Sequence, residues 1–93
     1  MRLEAYEVKS IRDVIYNMDP KAKVYLFGSR VDDTKKGGDI DLLIISEGLD
    51  KIDGWTIKDE ICDRIGQQKI DIIITKDTEE PFVRIALREG VLL

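Results

Sequence analysis

The chain has 93 residues, 43% of them hydrophobic and 37% charged, with a net charge of −4 and no histidine. That length and balance fit one small α+β or other globular domain rather than a disordered chain, and the acidic balance argues against direct nucleic-acid binding through lysine and arginine. Without histidine there is no His-based triad, His general base or His-ligated zinc, so any metal would sit on oxygen ligands suited to Mg²⁺ or Mn²⁺.

Other classes are excluded by what the chain lacks. No apolar run approaches the roughly 20 residues of a membrane span. The opening MRLEAYEVKS has no apolar core of a signal peptide. The one cysteine, Cys62, allows no internal disulfide, which fits a cytoplasmic location.

From about Leu3 to Met18, the apolar positions Val8, Ile11, Ile15 and Met18 recur at three- and four-residue steps, which predicts an amphipathic helix ended by Asp19-Pro20. Lys23 to Phe27 (KVYLF) reads as a first strand stopped by Gly28. Asp39 to Ile45 (DIDLLII) reads as a second strand, apolar enough to be buried on both faces. Ser46 to Asp53 reads as a polar loop, followed by a helix over about Gly54 to Ile65 with Ile57, Ile61 and Ile65 on one stripe. Lys69 to Thr75 (KIDIIIT) is a third, β-branched strand. Glu79-Glu80-Pro81 opens a last helix running to about Glu89 and stopped by Gly90, with Val91-Leu92-Leu93 as a short edge strand or contact surface.

The second strand, helix and third strand form a βαβ unit with parallel strands and a right-handed crossover. The first two strands are joined without a crossover helix and are expected antiparallel. The predicted fold is a small mixed β-sheet flanked by helices.

That topology brings chemistry to one edge of the sheet. Gly28-Ser29 ends the first strand, Asp39 and Asp41 open the second on one face, and Asp71 opens the third at the same edge. Two like charges about 4 Å apart repel by roughly 4 kcal/mol at an effective dielectric near 20, so a cluster of three carboxylates calls for a divalent cation. A glycine leaves room for a phosphate at the backbone, and the amides and hydroxyl at Ser29, with the charge of Arg30, suit its oxygens.

Each piece alone is weak. Aspartate is common here, so an Asp-x-Asp arises easily by chance, and Gly-Ser ends many strands. A lone Asp71 would serve as a charge on a strand edge. Lys35 and Lys36 suit a solvated turn better than a triphosphate contact, and Asp32 and Asp33 read as turn residues. Trp55 and Tyr25 read as packing residues, and Cys62 as structural. The ordered combination of all three strand ends is what carries the functional reading.

LFGSR at 26–30, GGDIDLLI at 37–44 and KIDIII at 69–74 resemble, in order, the pattern of the nucleotidyltransferases of the DNA polymerase beta superfamily, above all its minimal single-domain members. The resemblance implies transfer of a nucleoside monophosphate, AMP from ATP, to a hydroxyl with release of pyrophosphate. It implies two Mg²⁺ ions on Asp39 and Asp41, with Asp71 sharing one and helping to deprotonate the acceptor. Gly28 and Ser29 would hold the β- and γ-phosphates. Minimal members often accompany a helical HEPN-domain protein, in pairs similar to toxin–antitoxin systems, where they neutralise a ribonuclease by AMPylation or by binding. Two departures stand out: Val31-Asp32-Asp33 replaces a common Ala-Arg-Gly continuation, which points to lower triphosphate affinity, and Gly38 stands where relatives often have Ser or Thr. Larger members carry a second domain that closes over the nucleotide; for a chain of this length the expectation is that a partner or a homodimer supplies that surface, or that activity is weak. The rival readings are a non-catalytic module that blocks the partner sterically and a nucleotide-sensing domain that transfers nothing.

Overall fold

The computed structural model describes residues 1–34 and 38–93; Lys35, Lys36 and Gly37, and with them the reading of the two lysines as a solvated turn, lie outside the described residues. Helix α1 spans Ala5–Met18, strand β1 Lys23–Phe27, strand β2 Ile40–Ile45, helix α2 Lys51–Ile65, strand β3 Ile70–Thr75, helix α3 Pro81–Glu89 and strand β4 Val91–Leu92. A single 3-10 turn, Gly28–Val31, follows β1 directly.

The four strands pair in the order β3-β2-β1-β4. β1 runs antiparallel to both β2 and β4, and β2 runs parallel to β3. The sheet is therefore mixed, as the absence of a crossover helix between the first two strands requires. The apolar tail forms a two-residue strand against Tyr25 and Leu26.

Alternation along the strands separates two faces. Val24, Leu26, Ile40, Leu42, Ile44 and Ile70 point to the side covered by α1 and α2, where they meet Ile11, Ile15, Ile57 and Ile61, all essentially fully buried. On the other side Leu43 packs with Val83 and Ala86 of α3, joined by the half-buried Tyr25, Phe27 and Ile73. The expected Ile57, Ile61 and Ile65 stripe is buried, and Cys62 is buried with its thiol 3.6 Å from the Gln68 carbonyl.

The starts of α1, β2 and β3 fall one or two residues later than in the sequence reading, at Ala5, Ile40 and Ile70, and the largest difference is at α2. α2 begins at Lys51, three residues before Gly54, so the polar loop is shorter than Ser46 to Asp53. Asp50 accepts from the amides of Ile52 and Asp53, and the Asp53 carboxylate accepts from the Asp50 amide. This reciprocal capping box satisfies the first orphan donors of the helix and starts it within the polar stretch. Trp55 consequently sits on the first turns of α2 and is 77% exposed, packed into no core.

Candidate active site

The register of the sheet determines which side chains meet. Phe27 lies opposite Asp41 across β1 and β2, and Asp41 lies beside Asp71 across the parallel pair. Residues in register share a face, so both carboxylates stand on the α3 side of the sheet, beyond the end of the apolar cluster of Leu43 and Ile73. Asp39 lies just before β2, close enough for its charge to act on Asp41.

The Asp41 carboxyl is raised above its ordinary value of 3.8. Burial is the largest cause, followed by the charges of Asp71 and Asp39 and a hydrogen bond shared with Asp71; Lys69 opposes them. This is the signature of like charges held close in partial burial. Asp39 also faces Lys69, whose ammonium lies 3.5 Å from Asp39 Oδ2. Among the described residues no three acidic, cysteine or histidine side chains already stand as a metal-holding group. The structure thus joins Asp41 to Asp71 directly and leaves Asp39 paired with an exposed lysine, a surface contact of small energetic weight.

Gly28 is held against the acids. Its φ is +78°, and a Cβ built there would fall 2.2 Å from Asp41 Oδ2. Only glycine combines that backbone with that approach. Gly38 makes the matching contact from the other side of the loop: at φ +89° its missing Cβ would lie 2.1 Å from Ser29 Oγ. The glycine that stands before Asp39 is therefore what admits the Ser29 hydroxyl between the turn and the strand.

Arg30 is engaged within the fold. Its guanidinium donates to the carbonyl of Gly38 at 3.2 Å, to the carbonyl of Arg2 at 3.0 Å and to Gln68 Oε1 at 3.4 Å. Gln68 in turn donates to the buried Glu7 at 2.9 Å. Arg2 donates to the carbonyls of Ser29 and Asp32, each at 3.0 Å, and its amide donates to the Arg30 carbonyl at 2.7 Å. The N-terminal amino group pairs with Asp33. Arg2, Gln68 and Glu7, which no motif marks, thus hold the Gly-Ser turn, while Asp32 forms the expected local turn by accepting from Thr34.

The Asp41–Asp71 pair, carboxylate oxygens with mutual repulsion to relieve, has the chemistry that suits a hard divalent cation, while Asp39 stands on Lys69 rather than completing a set of three. Comparison with curated proteins returns no match. The family model described as polymerase beta, nucleotidyltransferase matches residues 9–93, which takes in the turn, the Asp-x-Asp strand and Asp71. On that match, over a sheet whose strand ends bring those elements together, the chain belongs to the polymerase beta nucleotidyltransferase family.

Proposed function

We propose that the protein is a Mg²⁺-dependent nucleotidyltransferase that moves AMP from ATP to a hydroxyl on a protein partner, acting in the manner of an antitoxin on a helical HEPN-domain ribonuclease in the cytoplasm. The observation that carries the catalytic part is the in-register pair Asp41–Asp71 with the Cβ-free backbone of Gly28 against it. Asp39, Asp41 and Asp71 would hold the metal, and Gly28, Ser29 and Arg30 the phosphates. Two Mg²⁺ ions, when bound, supply charge neutralisation at the reacting phosphate and its leaving group.

The remaining work belongs to the chain. The glycine turn offers backbone amides and the Ser29 hydroxyl to phosphate oxygens. Arg2 and Gln68 fix that turn by holding the Ser29 carbonyl and the Arg30 guanidinium, so the donors are set before the nucleotide arrives. The acceptor oxygen forms its bond to the α-phosphorus as the bond to the bridging oxygen breaks. Pyrophosphate leaves with that electron pair, and the acceptor proton passes to Asp71, the more exposed of the paired carboxylates.

A steric, non-catalytic block of the partner is the second reading. It is favoured by exposed apolar side chains on the last two elements: Phe82 and Ile85 of α3 and Leu92 of β4. One experiment separates the two. ATP labelled on the α-phosphate is incubated with Mg²⁺, the protein and lysate of its native cells, beside Asp39→Asn/Asp41→Asn. The enzymatic reading expects a labelled protein band with wild type, reduced at least about 10³-fold in the double variant. No band from either, with the wild type and the variant both neutralising the same helical partner, would replace it with the steric reading.

A further inference from the structure

The free margin of β3 is built differently from an ordinary solvent-facing strand. In the order β3-β2-β1-β4, β3 closes one side of the sheet with six residues, whereas β4 closes the other with two. The Ile40 amide donates to the Lys69 carbonyl and the Ser46 amide to the Thr75 carbonyl. Odd-numbered residues of β3 therefore turn their backbone groups to β2, and Ile70, Ile72 and Ile74 turn theirs outward. A long strand margin with no proline and three isoleucines is a template for another strand. Beside it a groove of about 600 Å³ runs along α2, lined on the helix by Lys51, Gly54, Trp55, Lys58 and Asp59. Lys51, Trp55 and Asp59 recur at four-residue steps on one helical stripe. Trp55 and Ile52 are 77% and 78% exposed, which is unusual for side chains of that size on one helix turn.

We propose that this margin binds a second copy of the chain, β3 against β3 in antiparallel pairing, joining two four-stranded sheets into one. The fold itself locates the two-fold axis. A Cβ on Gly54 would lie 3.5 Å from Ile74 Cδ1 and 3.8 Å from Ile72 Cγ2, so this turn of α2 stands level with Ile73. An axis at that level sets Ile72 opposite Ile74 of the second copy, a pair whose backbone groups both point across the junction. On the helices the same axis sets Trp55 against Trp55, Lys51 against Asp59 and Lys58 over Ile52. The stripe runs cation, aromatic, anion, and is its own complement when reversed. A self-complementary patch is what an isologous interface requires, and a central exposed tryptophan is the residue type that anchors one. Joined in this way, Thr75 of the second copy lies across from Asp71, so the wall next to the candidate site comes from the other chain.

Sedimentation equilibrium on the whole chain tests this. Wild type is expected to reach twice the 10.7 kDa of one chain. Lys51→Asp and Asp59→Lys each replace two attractive pairs by two repulsive ones and are expected to weaken self-association about tenfold or more. An equimolar mixture of the two variants is expected to recover it, because the aspartate introduced at 51 of one chain then meets the lysine introduced at 59 of the other, while the native Asp59 of the first meets the native Lys51 of the second; that recovery also shows both variants folded. Hydrogen exchange at the Ile72 and Ile74 amides is expected to slow as wild-type concentration rises. Wild type that stays monomeric up to about 200 µM, with micromolar affinity the least a working dimer needs, overturns the proposal, whatever else that margin captures. A dimer indifferent to both charge changes and to Trp55→Ala overturns it equally.

Discussion

The two faces of the sheet are made from the same strands and do opposite work. In β2, Ile40, Leu42 and Ile44 point toward α1 and α2 and are fully buried. Their neighbour Asp41 points the other way, onto a carboxylate, with the charge of Asp39 acting on it as well. One face gains stability from every residue it buries. The other holds like charges together at a cost, visible in the raised Asp41 carboxyl. A domain of this size has about 5–15 kcal/mol of net stability to lose, so the first face is what makes the second tolerable. The period of two along a strand lets adjacent residues serve these separate ends without interference.

Three substitutions sharpen that contrast. Leu42→Ala removes a fully buried side chain between the strands and the paired helices, and should cost about 2–5 kcal/mol in denaturant unfolding. A loss below about 1 kcal/mol would mean the helix-covered face does not carry the fold. Gly28→Ala should cost less, about 1–2 kcal/mol, from the positive φ alone. Its methyl must also displace the Asp41 carboxylate, so nucleotidyl transfer should fall far more than stability does. Unchanged transfer would remove Gly28 from the site.

Asp41→Asn should move stability the other way, raising it by roughly 0.5–1 kcal/mol near neutral pH once solvent screening is allowed for. The pH dependence gives the sign. The folded chain keeps the Asp41 proton to a higher pH than the unfolded chain, whose value is the ordinary 3.8. Between those two values the folded state binds more protons, so stability through Asp41 falls as pH rises across that window and is level above it. Asp19, lowered by the Ser46 hydroxyl and the Lys21 amide, has the opposite slope: its contribution is present above 3.8 and lost as pH falls through the lowered value. Wild type minus Asp41→Asn cancels Asp19 and isolates Asp41. A difference curve flat with pH would mean that the acids do not interact.

Much of this arrangement is legible in the chain because it follows from periodicity. The isoleucines of α2 at four-residue steps, the apolar run of β2 and the crossover between β2 and β3 together bring Asp71 to the sheet edge of Asp39 and Asp41; that it stands beside Asp41 is set by the register of the parallel pair. The start of α2 is not legible in the same way. Asp50 and Asp53 look like loop residues by composition, and only their reciprocal bonds to backbone amides turn them into a helix start. The supports of the Gly-Ser turn are the least legible. Arg2 reaches Ser29 and Asp32 from the far end of the chain, and Gln68 links Arg30 to a buried Glu7. These contacts depend on loops meeting in three dimensions and leave no spacing to read. Lys69, expected only as a strand residue, proves to be the cation beside Asp39 for the same reason.

The central claim is that the charge held on the open face is there for a divalent cation. Thermal unfolding with and without about 10 mM Mg²⁺ at matched ionic strength tests it most directly, since a ligand bound only by the folded state raises the midpoint. The account predicts that wild type melts below Asp41→Asn without the ion, and that Mg²⁺ raises the wild-type midpoint while leaving the variant's where it was. A wild-type midpoint unmoved by Mg²⁺, or an equal rise in both proteins, would contradict it.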